Sequence, residues 1–130
     1  MKKNMPHLFK PALVLASTLL VMSSTLAQAS LITKANNSLD LTNTASWLGG
    51  SVPAAGDIAV WNSTVTAANT VNLGASTTWL GIQVANPGGL VTIANDGNTL
   101  TNGTSGIDLS SASTGVNNLV LSNNVEAGHL

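Results

Sequence analysis

The sequence predicts an all-β protein, a parallel β-solenoid (β-helix) whose coils follow a cleaved helical signal peptide. Turn-forming Gly, Asn, Ser, Thr and Asp residues separate short apolar strands. Longer repeats of 18 to 20 residues indicate coils of two strands and two turns each. An apolar residue also recurs every nine positions, at Leu73, Ile82, Val91, Leu100 and Leu109.

An antiparallel β-sandwich or a meander of hairpins would also give short strands at this spacing. The longer repeats favour the solenoid, because strands stacked in register at about 4.8 Å let like Asn and Thr side chains form hydrogen-bonded ladders. Charged residues make up only 7% of the chain, which agrees with stacking because stacked like charges repel. No helix is expected after the signal peptide, since no stretch there keeps apolar residues at helical spacing for two turns.

Residues 1–29 have the pattern of a secretory signal peptide. The first ten residues contain three of the four lysines, and an apolar run follows over residues 11–22. Ala27 and Ala29 stand at positions −3 and −1 of a cleavage site, so we expect cleavage before Ser30. The apolar run is shorter than the roughly 20 residues that a membrane-spanning helix needs.

Residues 30–61 are predicted to form an N-terminal cap region. Its first half is polar, and the alternation over residues 39–41 indicates a first short strand. The residues expected to pack in this cap are Trp47, Pro53, Asp57 and Trp61. Proline has no N–H and suits a loop, the aspartate precedes a strand, and the two tryptophans would cover one end of the stack.

Residues 62–130 are predicted to be the solenoid coils. Their strands are rich in Val, Ile, Leu and Thr, which fit a pleated surface, and their turns contain residues that tolerate positive φ. No charged tail or helix follows the last apolar strand, whereas a solenoid needs its terminal coils covered. We therefore expect the coils to be incomplete at the C-terminus, where downstream coils or another chain would pair.

Charge and cysteine content exclude several classes of protein. After the predicted cleavage, Lys34 is the only basic residue against five carboxylates, a formal net charge of −4. Binding to nucleic acid relies on Lys and Arg, so nucleic acid is not an expected partner. The chain has no cysteine, so the disulfides that stabilise many small exported domains are not available. Stability must therefore come from backbone pairing between coils, or from further chain or partners.

The acidic residues do not indicate a catalytic site. Asp40, Asp57, Asp96, Asp108 and Glu126 are the candidates. Asp96 and Asp108 could lie on neighbouring corners, as the carboxylate pair of a glycosidase requires. However, Asp96 belongs to a turn sequence, and Asp108 alternates with apolar neighbours. We expect a turn former and a solvated strand residue.

Metal and nucleophile motifs are equally weak. Gly103, Gly106 and Asp108 match a calcium-binding nonapeptide once, and the match is not repeated nine residues away. His7 and His129 stand at opposite ends of the chain and form no ligand cluster, and no histidine is placed to activate a serine. We predict no catalytic residue, no metal and no cofactor.

Trp79 is the one candidate ligand-binding residue. Strand alternation places it on the face opposite Leu80 and Ile82, where an exposed indole could stack on a sugar ring. The alternative is packing in the core, as is common for tryptophan. The sequence therefore gives Trp79 as a possible glycan-stacking residue.

One pattern runs through the cap and coils: Trp47, Gly50, Pro53, Asp57, Ala59 and Trp61, followed by residues 71–74, 80–82, 87–93, 106–110 and 118–121. This pattern resembles the start of the autotransporter-associated β-strand repeat proteins, which are large exported bacterial proteins. The resemblance covers nearly all of the chain after residue 29. It implies a right-handed parallel β-helix passenger displayed on or released from a Gram-negative-type cell, with no shared catalytic motif.

Together these observations predict an exported structural or adhesive module that is not an enzyme, either secreted or held at the outer-membrane surface. The alternative is a carbohydrate-binding module, or the N-terminal part of a polysaccharide-active β-helix enzyme. The expected partners are further coils or another chain at the C-terminal edge, and an extracellular glycan or a host or cell surface.

Overall fold

The computed structural model describes residues 27–112 and 119–128, and these residues form a parallel β-solenoid of about four turns. The predicted fold class is confirmed, and the antiparallel alternative is wrong. The predicted signal-peptide segment up to residue 26, with His7, and the C-terminal His129 lie outside the described residues.

The described residues form eight strands and one short 3-10 helix, at residues Thr44–Ser46. The strands are β1 (Ser30–Thr33), β2 (Asp57–Asn62), β3 (Asn69–Asn72), β4 (Thr77–Ala85), β5 (Val91–Ala94), β6 (Thr99–Asp108), β7 (Leu119–Leu121) and β8 (Asn124–Ala127).

The strands stack into two parallel sheets. The five-stranded sheet has the order β1-β2-β4-β6-β8, and the three-stranded sheet has the order β3-β5-β7. From β2 onward the chain alternates between the two sheets, so each coil contributes one strand to each. Every strand pair is parallel, and the antiparallel pairing seen in the described part is an isolated bridge between Lys34 and Trp47.

The predicted cap region contributes strands β1 and β2 to the five-stranded sheet. The strand expected at residues 39–41 is not formed, and that prediction is wrong. The Asn43 N–H instead donates to the carbonyl of Asp40 (2.9 Å), which turns the chain into the 3-10 helix. The Leu41 N–H still donates to the Asn72 carbonyl (2.9 Å), so this segment contacts the end of β3 without forming a strand.

The coils are longer than the 18 to 20 residues predicted. Asn69 pairs with Val91, 22 positions later, and Val91 pairs with Leu119, 28 positions later. The nine-residue period instead marks inward positions that alternate between the sheets. Four of its five members are at most 1% exposed, namely Leu73, Ile82, Val91 and Leu100.

The fifth member, Leu109, is 45% exposed and lies just after the end of β6. Within the pair of β4 and β6 the register also shifts. Trp79 pairs with Asn102, but Gly81 pairs with Gly106. One residue of β4 therefore lies opposite three residues of β6. Such a bulge re-aims the side chains that follow it.

The core lies between the two sheets and is mainly apolar. Each fully buried Val, Leu or Ile contributes about 1.5–3 kcal/mol through the area removed from water. The coils also approach closely at a corner, where a Cβ on Gly89 would lie 2.5 Å from the backbone nitrogen of Ala68. Only glycine fits there without moving the backbone. The buried apolar residues of the core are Leu41, Trp47, Ala59, Val60, Trp61, Val65, Val71, Leu73, Trp79, Ile82, Val84, Val91, Ile93 and Leu100.

Candidate functional site

The three tryptophans form one buried cluster in the core. Trp47 lies edge-on to Trp61 and to Trp79, with ring centroids 5.7 and 5.9 Å apart, and Trp61 lies 6.2 Å from Trp79. Aromatic pairs in these geometries contribute about 0.5–1.5 kcal/mol beyond their burial. The predicted packing of Trp47 and Trp61 agrees with this cluster.

The indole nitrogens of the cluster differ in their partners. Trp47 Nε1 donates to the Leu41 carbonyl (2.8 Å), and Trp61 Nε1 donates to Oδ1 of Asn69 (3.3 Å). Trp79 Nε1 is buried and has no hydrogen-bond partner among the described residues. Trp79 is therefore held by packing rather than by hydrogen bonding.

Trp79 is fully buried, so its predicted role in glycan stacking is wrong. Ile82 and Val84 are also buried, although simple alternation would place them on the face opposite Trp79. The register shift between Trp79 and Gly81 exchanges the two faces of β4, and this lets all three side chains enter the core. No sugar ring can reach the indole in this arrangement.

Pro53 lies in the loop before β2, and Asp57 is the first residue of β2. Pro53 is buried. Oδ2 of Asp57 accepts the Ala54 N–H (2.9 Å), and the Asp57 N–H donates to the Ala54 carbonyl (3.0 Å). Asp57 thus closes the turn that leads into β2, where it pairs with Ser30 of β1. The residue next to the predicted cleavage site, Ser30, is therefore the first residue of the sheet.

Lys34 is the least expected buried residue. Its side chain is fully buried, and Nζ donates to the carbonyls of Ala35 (3.0 Å) and Asn37 (2.8 Å) and to Oδ1 of Asn37 (2.8 Å). These acceptors are uncharged, and burial lowers the pKa of Lys34 from 10.5 to about 8. The Asn69 amide also donates to the Asn37 carbonyl (2.9 Å), so the lysine belongs to a polar network joined to the next coil.

Asp96 connects three successive coils at one corner. It lies in the turn between β5 and β6, where its oxygens accept the Gly74 N–H (2.7 Å), the Asn98 N–H (3.1 Å) and the Asn123 amide (2.9 Å). Burial raises the pKa of Asp96, but the hydrogen bonds from Gly74 and Asn98 outweigh it and lower the pKa overall. Asp96 is therefore a turn former, as predicted, and also a link between coils.

Asp108 lies at the end of β6. Hydrogen bonds from the side chain and N–H of Ser110, and then from the Gln83 amide, lower its pKa. Its oxygens accept the Ser110 N–H (2.8 Å) and Nε2 of Gln83 (3.1 Å). Asp96 and Asp108 thus each have structural partners of their own.

No group of three or more possible metal ligands occurs among the residues that the structure describes.

A groove of about 520 Å³ lies on the outer face of the five-stranded sheet. It crosses the part of the sheet formed by β4, β6 and β8. The residues that line it are Ser76, Thr77, Thr78, Thr99, Thr101 and Glu126. Every lining residue has a hydroxyl or a carboxylate, so the groove is mainly polar. It is the best candidate for a ligand site in the described part of the chain.

Strand register builds the centre of this groove. Thr78 pairs with Thr101, and Thr101 pairs with Glu126, so the three residues form one column across β4, β6 and β8. Thr78 and Glu126 are exposed and Thr101 is half-buried, whereas Leu100 beside Thr101 is fully buried. The column therefore points outward, while the alternate residues fill the core.

Sequence reasoning considered Glu126 only as a candidate acid and did not identify the groove. The residues of the column are 23 and 25 positions apart, and the coil length predicted from sequence would not have aligned them. A local signal was present in the alternation Thr99-Leu100-Thr101, which places two hydroxyls on the face opposite a core leucine. Their partners could be found only from the observed register.

Within the described ranges, no helix has the length and apolarity needed to cross a bilayer.

Comparisons of the chain with protein-family models, with curated proteins and with solved structures found no match. The resemblance to the autotransporter-associated β-strand repeat family therefore stays a prediction from the sequence pattern.

Proposed function

We propose that this chain is an exported, non-catalytic β-solenoid module with a structural or adhesive role at the surface of a Gram-negative-type bacterium. The observation that carries the proposal is the continuous parallel ladder of β1, β2, β4, β6 and β8. A stack of this kind extends by adding coils, and each coil presents new outer surface. This is the architecture that a surface passenger of the resembling family would need.

The environments of the acidic residues support a role without catalysis. Asp96 and Asp108 are engaged by hydrogen bonds that build turns and join coils, and Asp57 closes a turn. Paired carboxylates that act as acid and base need contrasting environments, with one pKa raised, whereas the pKa values of Asp96 and Asp108 are both lowered.

The open end of the stack, formed by β7, β8 and the end of β6, supports a partner there. Val125 and Ile107 are 43% and 42% exposed, although their register partners Leu100 and Ile82 are buried. Leu121, the partner of buried Ile93, is also only partly covered. We propose that a further coil, from downstream sequence or from another chain, covers these positions.

Export can be tested by expressing the chain in a Gram-negative host and sequencing the N-terminus of the product outside the cytoplasm. The proposal expects a product that begins at Ser30 and is degraded when protease is added to intact cells. An Ala29→Leu variant is the matched control, because a large residue at position −1 blocks processing. A chain that stays unprocessed in the cytoplasm would contradict the proposal.

The alternative function is carbohydrate binding. Trp79 does not support it, because that side chain is buried. Its remaining support is the polar groove across β4, β6 and β8.

A further inference from the structure

We propose that the groove over Thr78, Thr101 and Glu126 binds a neutral, extended glycan chain, with the sugar residues lying across the strands. This inference relies on the proposed export only for the location at which such a glycan is met. Binding itself is a property of the folded chain and can be measured on purified protein.

The dimensions of the groove suit a segment of oligosaccharide. Neighbouring strands are about 4.8 Å apart, so Thr78 and Glu126 are separated by two strand spacings, about 10 Å. This is close to the length of one disaccharide in an extended chain. The groove volume of about 520 Å³ lies within the range of roughly 300–1,000 Å³ that is usual for ligand sites.

The chemistry of the lining matches sugar hydroxyls. A threonine hydroxyl both donates and accepts, and a carboxylate accepts at two oxygens. Within the described part of the chain, the side chains of Thr78, Thr101 and Glu126 make no hydrogen bond to protein. A ligand with alternating donors and acceptors along its length would satisfy all three.

Charge selects a neutral glycan over an acidic one. Glu126 supplies a negative charge in the groove, and Lys34, the only lysine after residue 29, is fully buried elsewhere. A sulfated or uronic acid chain would bring like charge to Glu126 without a cation to pair with it. Neutral hexose and N-acetylhexosamine chains avoid this repulsion.

The outer face of the three-stranded sheet differs from the groove. Its equivalent column is Thr70, Thr92 and Val120, which ends in an apolar residue and contains no carboxylate. Thr92 therefore offers a matched control, because it is a half-buried strand threonine like Thr101 on the opposite side of the solenoid.

The test is a titration followed by amide NMR shifts, with cellotetraose, chitotetraose and maltotetraose as neutral probes and tetragalacturonate as the acidic comparison. At least one neutral probe is expected to shift the amides of Thr78, Thr101 and Glu126, with an affinity of roughly millimolar because no exposed aromatic ring contributes. Thr101→Val is expected to weaken binding about tenfold by removing a hydroxyl while keeping the shape. Thr92→Val is expected to leave binding unchanged.

Three results would overturn the inference. The first is the absence of shifts at the three residues with every neutral probe at about 10 mM. The second is equal binding by wild type and Thr101→Val, with the amide spectrum confirming that the variant is folded. The third is binding of tetragalacturonate as tight as that of the neutral probes. None of these three results depends on export, because export is tested separately by sequencing the N-terminus of the product.

Discussion

Leu100 and Val125 occupy equivalent positions in successive coils of the five-stranded sheet, yet Leu100 is fully buried and Val125 is 43% exposed. Their side chains have the same inward direction, since they are register partners on parallel strands. The difference arises because another coil covers Leu100, whereas no described residue covers Val125 to the same extent. The apolar interior is therefore closed at Leu100 and partly open at Val125.

This relationship predicts unequal costs for two similar truncations. Leu100→Ala is expected to lower the free energy of unfolding by about 3 kcal/mol, because it leaves a cavity in a packed core. Val125→Ala should cost less than about 1 kcal/mol, because much of its side chain is already in water. Denaturant unfolding of both variants measures the difference. Equal costs would mean that Val125 is covered in solution by a partner or by further chain.

The tryptophan cluster provides a second matched pair. Trp47→Phe should cost about 1–2 kcal/mol more than Trp79→Phe, because it leaves the buried Leu41 carbonyl without its donor. Trp79→Phe removes an indole nitrogen that has no partner among the described residues, so only ring area is lost. Thermal or denaturant unfolding compares the two variants. A larger cost for Trp79→Phe would show that its nitrogen is hydrogen-bonded in solution, for example to buried water.

Asp96 is predicted to account for part of the stability that the solenoid loses at acidic pH. Asp96→Ala is expected to cost about 2 kcal/mol near neutral pH, because it removes the acceptor for Gly74, Asn98 and Asn123. The pKa of Asp96 is lowered from 3.8, so its contribution is complete above pH 3.8 and is lost as pH falls through the lower folded value. Unfolding measured from pH 7 to pH 2 should show a smaller loss in the variant than in wild type. Parallel curves would argue against an ionised Asp96 at this corner.

Because of Lys34, we predict that the free energy of unfolding increases with pH in the alkaline range. Its pKa is 10.5 in the unfolded chain and about 8 in the folded chain, so between these values only the unfolded state holds the proton. The free energy of unfolding should therefore rise from pH 8 to pH 10.5, by up to about 3 kcal/mol. The chain has no tyrosine or cysteine, so few other groups titrate in this window.

The control for this prediction is Lys34→Met, which keeps an unbranched chain but cannot titrate. Its stability should change little across the same pH range. A flat profile in wild type would show that the three oxygens around Nζ stabilise the ammonium enough to cancel the effect of burial.

Sequence reasoning identified much of the fold because its strongest signals were local. The nine-residue apolar period noted in the sequence coincides with buried positions at Leu73, Ile82, Val91 and Leu100, and the predicted turn role of Asp96 was correct. The side assigned to Trp79 was wrong, because alternation within a strand holds only while the register with the neighbouring strand is unbroken. The strand expected at residues 39–41 was wrong because a hydrogen-bonded turn competes with extension at that point.

The sequence by itself determined a parallel stack of short strands, since apolar spacing, turn residues and low charge all act through local backbone preference and repeated pairing. Only the tertiary structure decided which side chains meet across coils: the column of Thr78, Thr101 and Glu126, the environment of Lys34, and the burial of Trp79. These depend on coil lengths of 22 to 28 residues and on the register shift in β6. Such features are set by packing between distant segments, and no local pattern specifies them.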